Sequence, residues 1–250
     1  MHRFFSENID TKNIVLSYED INHIVNVLRL KLHDNIIVCD GCGNDYNCQI
    51  IELSKKHITL NMIAHLVNFN EPKIRVTLFQ GLPKSDKMEL IIQKCVELGI
   101  HSIIPVETNR SIAKIKDDGH KKQARWQSIA LAAAKQAQRS KIPQIGPFIS
   151  FKEAVRQTGN FDISLIPYEG ELINTLKLAM SNPDRPKIYE AAIFIGPEGG
   201  FEESEIILAK ESGIIPITLG GRILRTETAG FAALTMLLYE LGEYDVRTLF

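Results

Sequence analysis

Short apolar runs alternate with helix-periodic stretches from residue 75 onward. Arg75–Phe79, Ile103–Val106, Asp162–Ile166, Ala192–Ile195 and Ile214–Leu219 read as buried strands. Ser85 is placed to cap a helix that carries Met88, Ile91, Ile92 and Cys95 on one face and stops at Gly99. Lys121–Arg139 reads as a long helix, alanine-rich in its middle; Phe151–Gln157 and Glu171–Met180 read as shorter ones. Strands alternating with helices predict an α/β fold with a mainly parallel sheet covered on both faces. The last stretch, Thr226–Leu241, is apolar on more than one face. Such a helix is deeply buried or lies in a subunit interface.

The first 70 residues have a different rhythm. Ser17 and Asp20 form a capping-box pattern ahead of a short helix striped by Ile21, Ile24, Val25 and Leu28. Ile36–Asp40, a Gly-Cys-Gly-Asn-Asp turn and Tyr46–Leu53 give a hairpin signal, and His57–Leu66 alternates like a further strand. This predicts a compact β module of small-barrel type over residues 1–70. The Asn68–Lys73 stretch reads as a linker to a second domain over residues 74–250, and Asn182–Pro186 as a loop within it.

Composition narrows the class. The chain has 250 residues and a net charge of −1. No apolar run approaches the ~20 residues needed to span a bilayer, and the N-terminus lacks the pattern of a signal peptide. Both point to a cytoplasmic protein without a membrane partner. Cys39, Cys42, Cys48 and Cys95 include one CxxC but no second metal-ligand pair, so packed thiols are expected and no metal is implied. Nine basic residues stand against two acidic ones between Arg110 and Ile142. That asymmetry fits a phosphate-rich partner, or a solvated helix face and loop.

The candidate chemistry lies near the C-terminus. The last two strand runs each end in a glycine-bearing loop, Gly196–Gly200 and Gly220–Gly221, followed by a helical pattern. Glycine at a strand-to-helix turn lets backbone approach a ligand closely. Neither loop has the spacing of the common dinucleotide or phosphate loops. Arg222, Arg225, Thr226, Glu227 and Thr228 crowd between the second loop and the apolar helix.

The pair GPEGGF and LGGRILRTETA resembles the RsmE family of SPOUT methyltransferases. The likeness extends to His23–Arg29, Lys84–Gly99 and Trp126–Arg139. It implies methylation of N3 of a uridine in 16S ribosomal RNA of the small subunit, with S-adenosylmethionine as methyl donor. It also implies a PUA-like RNA-binding β-barrel at the N-terminus, a trefoil knot near the C-terminus and a homodimer. Ile195, Gly196, Pro197, Glu198, Gly199 and Gly200 would hold one side of the cofactor. Leu219, Gly220, Ile223, Leu224, Thr226, Thr228 and Ala229 would hold the other, with Leu165 and Pro167 as a third wall. Thr226 or Thr228 could instead cap the last helix.

The resemblance makes Arg225 the principal catalytic side chain. A guanidinium stays protonated, so it suits stabilising a uracil anion better than removing a proton. Glu227 would accept that proton or orient Arg225, or else serve as helix N-terminal charge. His23, Arg29, Lys31, Arg110, Gln136, Arg139 and Arg222 are the expected RNA contacts. Ala132 stands where the family is expected to carry glutamate, which removes any acidic role from that helix. Two other readings remain: a related methyltransferase acting on transfer RNA or another ribosomal site, and a non-catalytic RNA-binding assembly factor.

Overall fold

The computed structural model describes residues 2–6, 9–10, 13–67, 70–84, 86–112, 119–181 and 186–245. Ser85, expected to cap a helix, lies outside them, as do Asn68 and Phe69 of the expected linker and residues 182–185 of the expected loop. The chain forms two compact units, residues 1–71 with 134–142, and residues 72–133 with 143–250.

The first unit is built on a sheet of four strands ordered β1-β4-β5-β6: β1 (Arg3–Phe5), β4 (Asn35–Cys39), β5 (Asp45–Leu53) and β6 (Ile58–Leu66). A small ribbon of β2 (Ile9–Asp10) and β3 (Asn13–Ile14) accompanies it. The expected cap holds: Asp20 N–H donates to Ser17 Oγ at 3.1 Å, opening α1 (Tyr18–Asn22). The helix then loosens into a π turn over His23–Val27. Ile21 and Ile24 enter the core with Ile36, Val38 and Ile50, and Val25 and Leu28 pack at its edge. Cys39 and Cys48 are core side chains. Burial pushes the Cys48 thiol up to about 11, and burial with a hydrogen bond to Asp45 pushes that of Cys39 higher still. Both remain protonated thiols at neutral pH.

The second unit is a seven-stranded, wholly parallel sheet. Its strands are β7 (Arg75–Gly81), β8 (Ser102–Glu107), β9 (Gln144–Ile145), β10 (Ile149–Ser150), β11 (Ile163–Pro167), β12 (Glu190–Ile195) and β13 (Ile215–Ile217). The order is β10-β8-β7-β12-β11-β13, with β9 also on β8. Strands β7 and β12 are central; the chain runs outward from β7 through β8 to β10, crosses to β11, returns inward to β12 and ends at the edge strand β13. In parallel sheets, ligands bind outside the carboxyl ends of the strands where the order reverses. Phe79 and Phe194 stack across that pair at 4.4 Å, and Phe151 meets Phe194 edge-on. This packing holds Gln80 opposite Ile195 in register at the strand ends.

Six helices belong wholly or in part to this unit: α2 (Lys87–Glu97), α3 (Gly119–Gln136), α4 (Phe151–Val155), α5 (Leu176–Met180), α6 (Glu203–Glu211) and α7 (Thr226–Glu240). The four residues expected on one face of α2 are all buried. Burial pushes the Cys95 thiol up to about 12. Helices α3, α4 and α5 are shorter than the periodicity predicts, α4 ending at Val155. Helix α5 begins at Leu176 because Thr175 caps it, while the Glu171 carboxylate accepts the N–H groups of Ile173 and Asn174 and turns the preceding chain into a loop. Helix α3 ends at Gln136, not Arg139. Gln138 takes a left-handed conformation, and the Arg139 and Gln138 N–H groups bond back to Ala134 and Lys135 in a Schellman closure. Helix α7 buries Ala233, Leu234, Leu237 and Leu238 but exposes Met236 and Tyr239, so only one of its apolar faces is covered in the monomer. Among the described residues no helix is long and apolar enough to cross a membrane.

Candidate active site

The glycine loop 196–200 leaves the end of β12 and is fixed from four directions. The first is steric. A β-carbon on Gly81, at the end of β7, would lie 2.7 Å from the backbone nitrogen of Pro197. Only glycine there lets the two neighbouring strands diverge into this loop at contact distance. The second is a buried hydrogen-bond chain. Gln80 Nε2 donates to Thr226 Oγ1 at 3.0 Å, and the Thr226 hydroxyl donates to Gly196 O at 2.5 Å.

The third anchor is ionic. Lys84 N–H donates to both carboxylate oxygens of Glu198, and Lys87 Nζ lies 3.0 Å from Glu198 Oε1. Partial burial pushes the Glu198 carboxyl up, but Lys87 and the backbone N–H groups outweigh it and hold it below the ordinary range. The fourth is Arg110, whose guanidinium donates to Gly199 O at 2.9 Å. Beside it, Asn109 donates its backbone N–H to Glu205 and its side chain to Glu202. Those two glutamates also form the capping box that opens α6. Arg110, expected at RNA, is thus attached to the glycine loop.

Helix α7 begins beside this loop. Arg225 is its N-cap residue but makes no side-chain capping bond. Its side chain is exposed, and among the described residues its guanidinium has no partner. Thr226 is buried and does not cap the helix, because its hydroxyl is turned to Gly196. Glu227 is mostly buried and pairs with Lys87, whose ammonium is 3.4 Å from Oε2 without hydrogen-bond alignment. One ammonium therefore bridges Glu198 of the glycine loop and Glu227 of α7. Among the described residues there is no ion pair between Glu227 and Arg225.

The second loop, Gly220–Leu224, is largely exposed, and Ile223 is 89% exposed. Leu219 and Leu224 are half-buried, Thr228 is exposed and Ala229 half-buried in the first turn of α7. Pro167 ends β11, whereas Leu165 and Ile195 have buried side chains. The loop after β11 runs along the end of β13: Thr218 N–H donates to Asn174 O, and Asn174 Nδ2 donates to Pro216 O, both at 2.8 Å. It exposes Leu172 and Ile173.

The remaining expected RNA contacts divide. His23, Arg29, Lys31, Gln136 and Arg222 are exposed. Arg139 is 4% exposed and pairs with Glu71 at 2.7 Å. Glu71 also accepts the N–H groups of Ser140 and Lys141. The helix end that the sequence suggests would carry Arg139 outward; the Schellman closure turns it into the first unit instead. Lys135 likewise pairs with Asp20 and Arg125 with Glu89. Arg139→Ala is expected to destabilise the first unit by about 3 kcal/mol, because it takes the guanidinium away from a mostly buried carboxylate. Denaturant unfolding checks this.

The Glu71 pair also predicts a pH effect. Burial pushes the Glu71 carboxyl up, but Arg139 and the two N–H groups outweigh it and hold it below the ordinary range. A depressed carboxylate contributes stability fully above its unfolded pKa and loses it as pH falls through the folded value. Wild-type stability should therefore fall on acidification below the ordinary carboxylate range, and less so in Glu71→Gln.

Sequence reasoning missed Gln80, Gly81, Lys87 and Glu71. The one legible signal was Gln80-Gly81 itself, a polar residue and a glycine closing an apolar strand.

Comparison with known proteins gives the class of this fold and site, an RNA methyltransferase. A family model described as an RNA methyltransferase domain matches residues 70–238, and one described as an RNA methyltransferase PUA domain matches residues 16–63. The ribosomal RNA small subunit methyltransferase E of Bacillus subtilis (strain 168) is 36% identical over 251 residues, covering 96% of this chain and 97% of that protein. A crystal structure of a ribosomal RNA small subunit methyltransferase E from Neisseria gonorrhoeae, bound to S-adenosyl methionine, is similar with a TM-score of 0.84 and 32% identity, covering 96% of this chain and 98% of the other. A putative methyltransferase from Legionella pneumophila, also in complex with that cofactor, has a TM-score of 0.82 and 30% identity, covering 95% and 97%. The chain belongs to the RNA methyltransferase family, among the small subunit methyltransferase E proteins.

The residues present fit such a cofactor. A β-carbon on Gly196 would lie 3.0 Å from the carbonyl carbon of Gly200, so the loop is a tight backbone cradle with no room for a side chain inside the turn. Exposed apolar side chains at Ile223, Leu172 and Ile173 stand on the neighbouring loops. Backbone edges with apolar covers suit a purine ring, whose edge is polar and whose faces are not.

Proposed function

We propose that this protein methylates N3 of a uridine in the 16S ribosomal RNA of the small subunit, in the cytoplasm, with S-adenosylmethionine as donor. The observation that carries the mechanism is the placement of Arg225. Its guanidinium, without a partner among the described residues, immediately precedes Thr226, which is bonded to the glycine loop. Gly196–Gly200, Leu219, Gly220, Ile223, Leu224, Pro167 and Thr228 hold the cofactor. When bound, it supplies a methyl group that is already electrophilic.

The residues of this chain then do three things. The loops fix the line of approach, and orientation supplies much of the acceleration. Arg225 stabilises the negative charge that grows on the uracil as N3 loses its proton. Glu227 accepts that proton, its carboxylate held in place by Lys87. His23, Arg29, Lys31 and Gln136 supply RNA contacts from the first unit, and Arg222 contacts phosphate beside the site. Arg139 serves the fold through Glu71, and Arg110 serves the glycine loop.

Residues 1–70 are the PUA-like RNA-binding domain in this reading, and residues 74–250 the SPOUT domain with a trefoil knot. The uncovered face of α7, with Met236 and Tyr239, suits packing in a homodimer. Transfer of labelled methyl to small subunits from cells lacking this gene tests the function. 3-Methyluridine in the 16S RNA is the expected product. Label in another nucleoside or another RNA would discard the target, and no label would discard the activity.

A further inference from the structure

We propose that Gln80 is a positioning residue for the cofactor loop, acting through the Thr226 hydroxyl on the Gly196 carbonyl; this rests on the reading above. Gln80 is fully buried at the end of β7, opposite Ile195. Its Nε2 donates both protons, to Gly81 O at 2.9 Å and to Thr226 Oγ1 at 3.0 Å. A threonine hydroxyl has a single proton, and here it goes to Gly196 O. Thr226 must therefore accept from position 80, which fixes the amide with nitrogen toward Thr226.

The direction of the chain is thus determined: Gln80 to Thr226 to Gly196. The amide's other atom reveals its purpose. Gln80 Oε1 is buried with no hydrogen-bond partner. A leucine or methionine would fill the same space without burying an unpaired oxygen. What glutamine adds at this point is its two donor protons.

The relay spans three elements that meet at the reaction centre. Gly196 opens the cofactor loop, Thr226 opens α7, and Arg225 directly precedes Thr226. Pro197 lacks an N–H and lies against Gly81, so the Gly196 carbonyl is the polar anchor at the start of the loop, beside those at Glu198 and Gly199 further on. One buried side chain therefore sets the cofactor cradle and the start of the catalytic segment together.

The test compares Gln80→Met, Thr226→Val, Thr226→Ser and the double variant Gln80→Met/Thr226→Val. S-Adenosylmethionine affinity is measured by calorimetry, and amide exchange over residues 196–201 is followed without cofactor. Gln80→Met and Thr226→Val should each weaken binding by about tenfold and speed exchange in the loop. Thr226→Ser, which keeps the hydroxyl, should recover most of the loss seen in Thr226→Val. The double variant should be no weaker than the worse single one, because both break the same chain. Wild-type affinity and exchange in folded Gln80→Met, or additive losses in the double variant, would overturn the proposal. If Gln80→Met does not fold, the Thr226 valine–serine pair decides: equal affinities refute the relay. A wild-type protein that binds no S-adenosylmethionine would refute the proposed function as well, whereas binding that is unaffected by these variants refutes the relay alone.

Discussion

Arg225→Ala is expected to reduce methyl transfer by at least about 10²–10³-fold, the loss seen when one preorganised donor to a developing anion is removed. Cofactor affinity should stay within a few-fold of wild type. The separation follows from position. Arg225 is exposed at the N-cap, makes no capping bond and has no partner among the described residues, so its removal breaks no contact that holds the glycine loop. Thr226, one residue on, carries that contact instead. Single-turnover transfer measured beside calorimetric binding resolves the two effects. Equal loss of both would move Arg225 from chemistry to cofactor support. Arg225→Lys should rescue little, because an ammonium cannot present the planar fork of a guanidinium to a uracil edge.

Gly196→Val should abolish cofactor binding in a protein that still folds. A β-carbon at this position would stand 3.0 Å from Gly200 C and 3.1 Å from its Cα. Both are backbone atoms, so the loop must shift to admit even one methyl group, and valine adds two further carbons. Gly200 itself has a φ of +66°, a conformation that a displaced loop cannot readily keep. The Thr226 bond to Gly196 O would be strained by the same shift. The cost falls on the loop and not on the sheet, since β12 ends at Ile195. Calorimetric binding with a thermal melt as control checks this. Wild-type affinity in the folded variant would refute the assignment of this loop.

Both predictions concern residues that can be found without a structure, and the reason is local. Apolar runs closed by glycine, with arginine and threonine crowded before an apolar helix, are contiguous in the chain. Their order in the chain marked Gly196–Gly200 and Arg222–Thr228 as loops open to a ligand, and the resemblance of their motifs to a known family supplied the roles, as the alternation of strands and helices marked the parallel sheet. The buried face of α2 was legible for the same reason, because a 3.6-residue period needs no knowledge of what it packs against.

Partnership across long sequence separations was not legible. Gln80 meets Thr226 across 146 positions, Lys84 meets Glu198 across 114, and Arg139 meets Glu71 across 68. No periodicity records such pairs. A basic segment looked uniform in sequence, yet Arg125, Lys135 and Arg139 each face a carboxylate contributed by a distant stretch. The end of α3 shows the same limit at short range: nothing in alanine-rich periodicity foretells that Gln138 turns left-handed and takes Arg139 inward. The sequence by itself determined the alternation of strands and helices and the glycine-bearing loops at the strand ends. Only the tertiary structure decided which charged groups remain free for a ligand and which are bound to one another, because burial and ion pairing depend on neighbours that the chain order does not supply.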